Sequence, residues 1–582
     1  MTAAIQTLWV ELVAATLADA GVATCVISPG SRSAPLVAAL ARDGRLALPT
    51  IIDERAAAFF ALGIARATGR PAAIACTSGS AAAHYLPALV EASAAGVPLI
   101  AITADRPPEL QRCGATQTID QIGMYGGFVR GAFDLGPPCG EPHALRAVRR
   151  AIAQAVTLAC GPHPGPVHVE LPLRKPLEPA APASEAEHAA ARAVAELRRA
   201  PIAIAAPRLA PDPAALDRLA AAIAAEPRGL VIAGAMPLGF AAAQRDAFAL
   251  CARAGYPLCA EAGSQLRFAA RPPELVAVDG FDVADGPPPR LIVQLGAEPV
   301  AASWPALQAK GAERWVLADH AWHDPDGSAR EVIVGDVAAA LGELRARVAP
   351  RRERGFAEAW RDAAARAQAA LDRAIAAHAG CEPAALRAAI AAAPPEAIVQ
   401  IGNSLPIRVI DHACPGGAPR AAITQRGAAG IDGLVASAAG ATRAGVPVLL
   451  VLGDVSFAHD LGGVLATREA AAPLAIVVVD NAGGQIFAGL PIARAGLGAA
   501  FERHFTTAPA LDPVALAAAL GVRAVRAAAP AALAAAVAGA LAAPGATIIH
   551  APVTASGAHD VRRTALELVA APPRAALGGQ HG

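Results

Sequence analysis

The chain has no surplus of charge of either sign: across 582 residues, 49 Lys and Arg stand against 49 Asp and Glu. A balanced chain lacks the basic field that coats nucleic-acid phosphates or docks on an anionic membrane surface, so neither contact is expected. Charged residues make up only 17% and aromatic ones 4%, yet 55% of the chain is hydrophobic. Global disorder is therefore excluded, and Val, Ile, Leu and Ala are left to build the core, with many Ala-rich helices. The nine cysteines, at 25, 76, 113, 139, 160, 251, 259, 381 and 414, are odd in number and never spaced C-x-x-C. They read as reduced core thiols of a cytoplasmic protein, not as a disulfide framework or a structural zinc site. The longest uncharged stretch, 527–558, is dominated by alanine and broken by Pro530, Pro544 and Pro552, which argues against a membrane span. Residues 1–20 carry Glu11 and Asp19 and read as an amphipathic helix, not a signal peptide. There is no G-x-G-x-x-G fingerprint and no H-E-x-x-H, and Ser78 and Ser80 form no G-x-S-x-G elbow.

What the chain does have is alternation. Short β-branched runs at 24–28, 72–77, 98–103, 230–233, 291–295, 315–318, 397–401, 446–452, 474–479 and 547–550 predict strands, and Ala/Leu-rich runs between them predict helices. Most of the strand-like runs are continuously apolar, as in strands buried on both faces. The expected class is α/β, with doubly wound parallel sheets covered by helices. At ~150 residues per domain the length accommodates three or four domains. Segments 174–187 and 345–354 read as linkers and divide the chain into 1–180, 188–345 and 355–582, the last opening on a long helical run, 355–379. Gly/Ser turns follow strands in the first and third blocks but are sparse in the second. That asymmetry places the chemistry between the outer blocks, beyond the carboxyl ends of their strands.

In the third block Gly453-Asp454 follows the run VPVLLVL, and a second run, LAIVVV, leads into Asp480-Asn481-Ala482-Gly483-Gly484. Two adjacent parallel strands, with one helix (461–469) between them, would set the Asp454 carboxylate beside the Asn481 amide. With the Gly483 carbonyl these are hard oxygen ligands of the kind Mg²⁺ takes while it also holds a phosphate. The plainer alternative is a strand-end Asp and a turn Asn. In the first block Asp53-Glu54-Arg55 follows a short strand (49–52) and opens a helix (56–67), where acids also suit the helix dipole. T-S-G-S-A (77–81) reads as a tight strand–helix turn bordering a pocket, and His84 and His459 as packing or capping residues.

The Gly-Asp…Asn arrangement resembles the diphosphate–metal motif of thiamine diphosphate enzymes, with Val455 where a third glycine is usual. The resemblance sharpens over the outer blocks, which read in order VISPGSRSAPL (26–36), CTSGSA (76–81), ITADRPPEL (102–110), ATQTIDQ (115–121), IGNSLPIR (401–408), RGAAGIDG (426–433), GDVSFAHDL (453–461) and NAGGQIF (481–487). Together these strings resemble the 2-succinyl-5-enolpyruvyl-6-hydroxy-3-cyclohexene-1-carboxylate synthase family, thiamine diphosphate-dependent transferases of menaquinone biosynthesis. The middle block carries weaker echoes, at 256–267 and 318–330.

This resemblance implies three domains of the thiamine diphosphate-enzyme type: a pyrimidine-binding domain, a cofactor-free central domain and a diphosphate-binding domain. It implies that Glu54 is the catalytic acid set against the cofactor's pyrimidine ring. It further implies that Ile431, Gly453, Asp454, Val455, Ser456, Asn481, Gly483 and Gln485 bind the cofactor. Asp454, Asn481 and Gly483 would do so through Mg²⁺ or Mn²⁺. Ser31, Arg32, Arg106, Gln117, Ser404, Arg408, Arg426, Ile486 and Phe487 would line the pocket for 2-oxoglutarate and isochorismate. Two dicarboxylates in one cleft call for planar guanidinium forks, and Arg32, Arg106, Arg408 and Arg426 each lie in or just beyond a strand-end loop. Singly, each would read as a surface arginine in a weak ion pair. The resemblance also implies a homodimer or homotetramer with sites at subunit interfaces. Two departures stand out. Family members carry a lysine or arginine where this chain has Ala302 or Ser303, and Gln425 replaces an asparagine. The first leaves room for another thiamine-dependent carboligase with a different acceptor. A non-catalytic paralogue is disfavoured, because Glu54, Asp454 and Asn481 are all present.

Overall fold

The computed structural model describes residues 2–418 and 420–571; Met1, Pro419 and 572–582, at the ends of the first block or within the third, lie outside the described residues. Among the described residues sixteen strands form three sheets, and every pairing is parallel. β1 (Cys25–Ile27), β2 (Ala72–Cys76), β3 (Leu99–Asp105), β4 (Ala132–Asp134) and β5 (Val167–Pro172) lie in the order β1-β2-β3-β5-β4. β6 (Gly229–Ala233), β7 (Leu258–Ala260), β8 (Leu291–Leu295), β9 (Glu313–Ala318) and β10 (Glu331–Val334) lie in the order β10-β9-β8-β6-β7. β11 (Ile398–Ile401), β12 (Ala421–Thr424), β13 (Val448–Gly453), β14 (Leu474–Asp480), β15 (Arg523–Arg526) and β16 (Ala546–Pro552) lie in the order β12-β11-β13-β14-β16-β15.

All ten strands expected from apolar runs form. β2, β3, β8 and the body of β13 and β14 are buried at every position or nearly so, as strands covered on both faces must be. The unexpected strands are short or polar. β4 and β15 are largely exposed edge strands, so no continuous apolar run marked them. Segment 49–52 is not a strand; Thr50 makes a single bridge to Ile27.

Local chemistry sets the helix starts. Asp53 caps the helix Glu54–Thr68 by accepting from the Arg55 and Ala56 amides at 2.9 and 3.2 Å, and Gly69 ends it at φ +66°. Ser184 and Glu187 form a capping box, so the expected linker 174–187 already turns helical at Glu185. The second expected linker begins inside the helix Val337–Arg347. The first helix, Ala3–Asp19, is not amphipathic. It buries residues on nearly all sides because helices Ala34–Asp43, Pro142–Cys160 and Glu185–Arg199 pack around it.

One continuous core joins the first and third sheets, running from Phe59, Phe60 and Ile74 to Leu434, Val435, Phe457 and Ile476. Its centre is the crossing of helix Glu54–Thr68 with helix Leu434–Ala441, and glycines let the backbones touch. A Cβ on Gly63 would lie 1.9 Å from the Ser437 carbonyl oxygen, and one on Gly440 would lie 1.9 Å from that of Phe60. All nine cysteines are unpaired, and six are buried. No helix among the described residues is long and apolar enough to cross a membrane.

Candidate active site

In the third sheet the strand order reverses at β11, which has β12 on one side and β13 on the other. Ligands of open α/β sheets bind beyond the carboxyl ends of the strands at such a switch point. The loops there carry Asn403 and Ser404 after β11, Gln425 and Arg426 after β12, Asp454 after β13 and Asn481 after β14. β13 and β14 are neighbours with Gly453 opposite Val479, so Asp454 and Asn481 leave adjacent strand ends. Two short helices, Asp454–His459 and Leu461–Ala466, fill the interval where one was expected.

Asp454 is buried. Its Oδ1 accepts from the Val455 amide at 2.8 Å and its Oδ2 from the Gly483 amide at 2.7 Å. Gly483 sits at φ +115° against the Thr506 carbonyl oxygen, where a side chain has no room. Asn481 Nδ2 donates to Glu382 at 3.0 Å, while Asn481 Oδ1 and Glu382 Oε1 are buried with no hydrogen-bond partner among the described residues. Burial, reinforced by the Asp454 charge, pushes the Glu382 carboxyl up to about 7 against the pull of the Asn481 amide. Burial likewise raises Asp454, against the two amides that hold it down. At Asp480 the opposing effect wins: burial is outweighed by the His550 ring, 2.9 Å away, and the carboxyl lies below its usual range.

Among the described residues neither Asp454 nor Glu382 forms an ion pair with Lys, Arg or His. Crowded carboxylates and an orphaned amide oxygen with no cation fit a divalent metal held by Asp454, Asn481 and the Gly483 carbonyl. A cleft of about 220 Å³ opens alongside, lined by Asp454, Asp480 and Ala482 on one side and Ala508–Leu511 on the other. Of the other expected cofactor residues, Val455 and Ser456 lie in the helix Asp454–His459, Gly453 ends β13, Gln485 Nε2 reaches the Ala482 carbonyl at 3.4 Å, and Ile431 is half-buried in the loop after β12.

The first sheet gathers a second set. Ser31 is exposed on the turn after β1. Arg32 is buried, with Nη1 on the Leu173 carbonyl at 2.7 Å. Arg106 bonds the Ser78 hydroxyl and the Thr116 carbonyl, and Gln117, at φ +55°, donates to the Ser78 carbonyl at 3.1 Å. In the third sheet Arg408 donates to the Ser404 carbonyl at 2.8 Å and Arg426 to Asn403 Oδ1 at 3.3 Å. Burial and then the neighbouring Arg106 weaken the hold of Arg32 on its proton; burial and then Arg426 do the same to Arg408. The four arginines thus form two like-charged pairs. Among the described residues none of them forms an ion pair with a carboxylate. Ile486 packs against the core on the far face of the third sheet, and Phe487 meets Phe505 edge-on at 5.5 Å.

Glu54 opens its helix, half-buried, and its side chain makes no hydrogen bond or ion pair among the described residues, although its charge adds to the burial that raises the Cys76 thiol. Among the described residues no hydrogen bond or ion pair joins it to Asp454, Asn481 or Gly483. A hydrogen bond between the two segments runs from Arg55 Nη2 to the His459 carbonyl at 3.2 Å. His459 itself is exposed, as is His84.

Several residues at the site escaped the sequence reading. Glu382 is one: nothing in its helix-start context ties it to Asn481. The loop without a basic residue at 302–303 is held by Glu261, which accepts from the Val300 and Ala301 amides at 2.5 and 3.1 Å, and by Asp282, which accepts from the Ser303 amide at 2.7 Å. The other oxygen of Asp282 takes Arg562 Nε at 2.7 Å, so a guanidinium reaches this loop from the helix Gly557–Ala570.

Comparison with known proteins agrees with this geometry. Residues 9–124 match the thiamine pyrophosphate enzyme N-terminal TPP binding domain, and residues 409–551 match the C-terminal TPP binding domain. Two solved structures share the fold, each with a TM-score of 0.70. They are benzoylformate decarboxylase from Polynucleobacter necessarius, at 19% identity over 94% of this chain and 98% of that one, and a putative thiamin diphosphate-dependent enzyme from Mycobacterium smegmatis, at 20% over 93% and 98%. Curated relatives run nearly full length. The 2-succinyl-5-enolpyruvyl-6-hydroxy-3-cyclohexene-1-carboxylate synthase of Sorangium cellulosum is 42% identical over 97% of both chains. Those of Halobacterium salinarum and Geobacillus kaustophilus are each 37% identical, over 87% and 84% of this chain and 88% and 85% of theirs. With both thiamine-binding halves matched and relatives of this identity aligned from end to end, the chain belongs to the 2-succinyl-5-enolpyruvyl-6-hydroxy-3-cyclohexene-1-carboxylate synthase family of thiamine pyrophosphate enzymes.

Proposed function

We propose that the protein decarboxylates 2-oxoglutarate and adds the remaining four-carbon unit to isochorismate, giving 2-succinyl-5-enolpyruvyl-6-hydroxy-3-cyclohexene-1-carboxylate in menaquinone biosynthesis. The observation that carries this reading is the set of four arginines in two like-charged pairs, none of them in direct ion-pair contact with a carboxylate among the described residues, although Asp105 lies near Arg32, and Asp411, Glu261 and Asp282 near Arg408. Guanidinium groups held together with no carboxylate on their forks are suited to a ligand that brings its own, and two dicarboxylates bring four.

Bound thiamine diphosphate would supply the decarboxylating and carbon-transferring chemistry. Asp454, Asn481 and the Gly483 carbonyl would hold Mg²⁺ or Mn²⁺ and with it the diphosphate. Ile431 would pack beneath the cofactor, and Gly453, Val455, Ser456 and Gln485 would line its seat. Glu54, free of internal partners, would hold a proton between its carboxyl oxygen and a pyrimidine nitrogen. Arg32 and Arg106 with Ser31 and Gln117, and Arg408 and Arg426 with Ser404, Ile486 and Phe487, would orient the substrates so that the reacting carbons meet.

Among the described residues no hydrogen bond or ion pair joins Glu54 to the metal-holding residues. A homodimer or homotetramer would bring the Glu54 of one copy to the Asp454 of another. Ile52, 80% exposed beside Asp53 and Glu54, is an apolar side chain that such an interface would cover. A cytoplasmic location suits the nine unpaired thiols.

The test is a steady-state assay with 2-oxoglutarate, with and without isochorismate, in the presence of thiamine diphosphate and Mg²⁺. Product formation dependent on both substrates is expected. Decarboxylation that isochorismate does not accelerate would favour a carboligase with another acceptor, the reading that Ala302 and Ser303 leave open.

A further inference from the structure

The loop between β12 and helix Leu434–Ala441 carries Arg426 and Ile431, and its backbone is gripped by a side chain from the first sheet's layer. Glu91, in the helix Leu86–Ala95, is 3% exposed. Its carboxylate accepts from three consecutive amides: Gly427 at 3.0 Å on Oε1, then Ala428 at 2.6 Å and Ala429 at 3.3 Å on Oε2. Arg66, from the helix Glu54–Thr68, pairs with Oε1. Successive amides converging on one point form an anion nest, and Ala429 completes it in the left-handed region at φ +60°. Gly427 has no space for a side chain, since a Cβ would lie 2.7 Å from the Glu91 carbonyl oxygen and 2.8 Å from the Ala95 amide. The nest is therefore filled from within the chain, and its amides are not available to a ligand phosphate or carboxylate. Asn403 braces the opposite side of the loop. Its Nδ2 lies 2.8 Å from the Gln425 carbonyl and 2.7 Å from that of Gly430, and its Oδ1 holds Arg426.

We propose that Glu91 is a positioning residue for the active site. It pins the apex of the 426–431 loop to the first sheet's layer, so the placement of the Arg426 guanidinium and the Ile431 side chain depends on how the two layers dock within one chain. The proposal rests on the roles given to Arg426 and Ile431 above. Asn403, with Gln425 Nε2 on the Asp432 carbonyl at 2.9 Å, fixes the ends of the loop and leaves its apex free. Exchanging one Glu91 oxygen for an NH₂ group would turn a donor toward a donor and leave at least one amide of the nest without its acceptor.

The experiment compares the full-length wild type with E91Q, E91A and R66A, each with thiamine diphosphate and Mg²⁺. Hydrogen exchange over residues 425–432 is read by mass spectrometry beside steady-state kinetics. Exchange there should accelerate at least about tenfold in E91Q and E91A but less in R66A, which leaves the carboxylate on the amides. The KM for at least one dicarboxylate substrate should rise about tenfold in E91Q, with kcat changed much less, because a displaced arginine loses binding before chemistry. Unchanged exchange in both Glu91 variants would overturn the clamp. Faster exchange with unchanged KM would overturn the positioning role. An R66A variant matching E91Q in both readouts would assign the effect to the ion pair instead. A wild type inactive on both substrates would defeat the proposed function, yet the exchange measurement would still decide the clamp.

Discussion

The Gly483 amide donates to Asp454 Oδ2 at 2.7 Å, tying the loop after β14 directly to the carboxylate that follows β13. The loop and the carboxylate form one unit, with Glu382 behind Asn481 as its buried support. Asp454→Asn exchanges an acceptor for a donor facing that amide and removes the negative charge a divalent cation needs. Thermal unfolding with excess thiamine diphosphate and Mg²⁺ should show it. A ligand at 100 times its Kd stabilises the wild type by about 2.7 kcal/mol. The variant should lose most of that gain, whereas a full gain would remove Asp454 from the metal site.

Glu54 has no internal partner to lose, so Glu54→Gln should leave the fold and cofactor uptake near wild type. Turnover should fall by about 10²–10⁴-fold, the scale of a lost general acid–base group. Calorimetry for uptake and steady-state rates for turnover separate the two. A variant that turns over normally would leave Glu54 as a helix-start acid only.

Arg408→Ala should raise the KM for one dicarboxylate substrate by roughly 30-fold, corresponding to about 2 kcal/mol for a charge-assisted hydrogen bond. Arg408→Lys should recover little, since an ammonium cannot reproduce a planar fork. Substrate titrations of both variants are sufficient, and equal KM values across the series would place Arg408 outside the pocket.

Burial, with the neighbouring charge of Glu170, pushes Asp105 up to about 7; burial pushes Glu170 itself to about 7, against hydrogen bonds from Thr103 and Asp105. In the unfolded chain both carboxyls titrate near ~4. Between ~4 and 7 the folded protein therefore binds more protons than the unfolded one. The stability from these groups is fully present at the acid end and is lost as pH rises toward 7. Asp105→Asn should flatten this decline, seen as a Tm that depends less on pH across that window. An unchanged slope would mean that the pair does not titrate there.

Much of the fold could be read locally. Continuous runs such as 446–452 and 474–479 announced parallel strands, because a strand covered on both faces has no polar side to alternate with. The Asp454 and Asn481 positions were legible for the same reason, each following a run whose end is easy to find. β4 and β15 were not, because edge strands keep a wet side and carry no apolar signature. The first helix reads as amphipathic from its sequence because polar residues such as Glu11 and Asp19 suggest a solvent face. Gln6 and Thr7 instead bond to the chain at 174–180, so the polar positions are buried and satisfied.

The amino-acid sequence alone determined the parallel α/β class, the membership implied by its ordered strings, and the strand-end residues that bear the chemistry. All of these are written in runs of a few to a dozen neighbouring residues, through side-chain periodicity and backbone capping. Only the tertiary structure decided which side chains support them. Glu382 meets Asn481 across 99 positions, and Glu91 reaches the Gly427 amide across 336. Such pairs arise from the order of strands in a sheet and the docking of one layer on another, and a buried carboxylate finds its donors wherever that packing leaves amides unpaired.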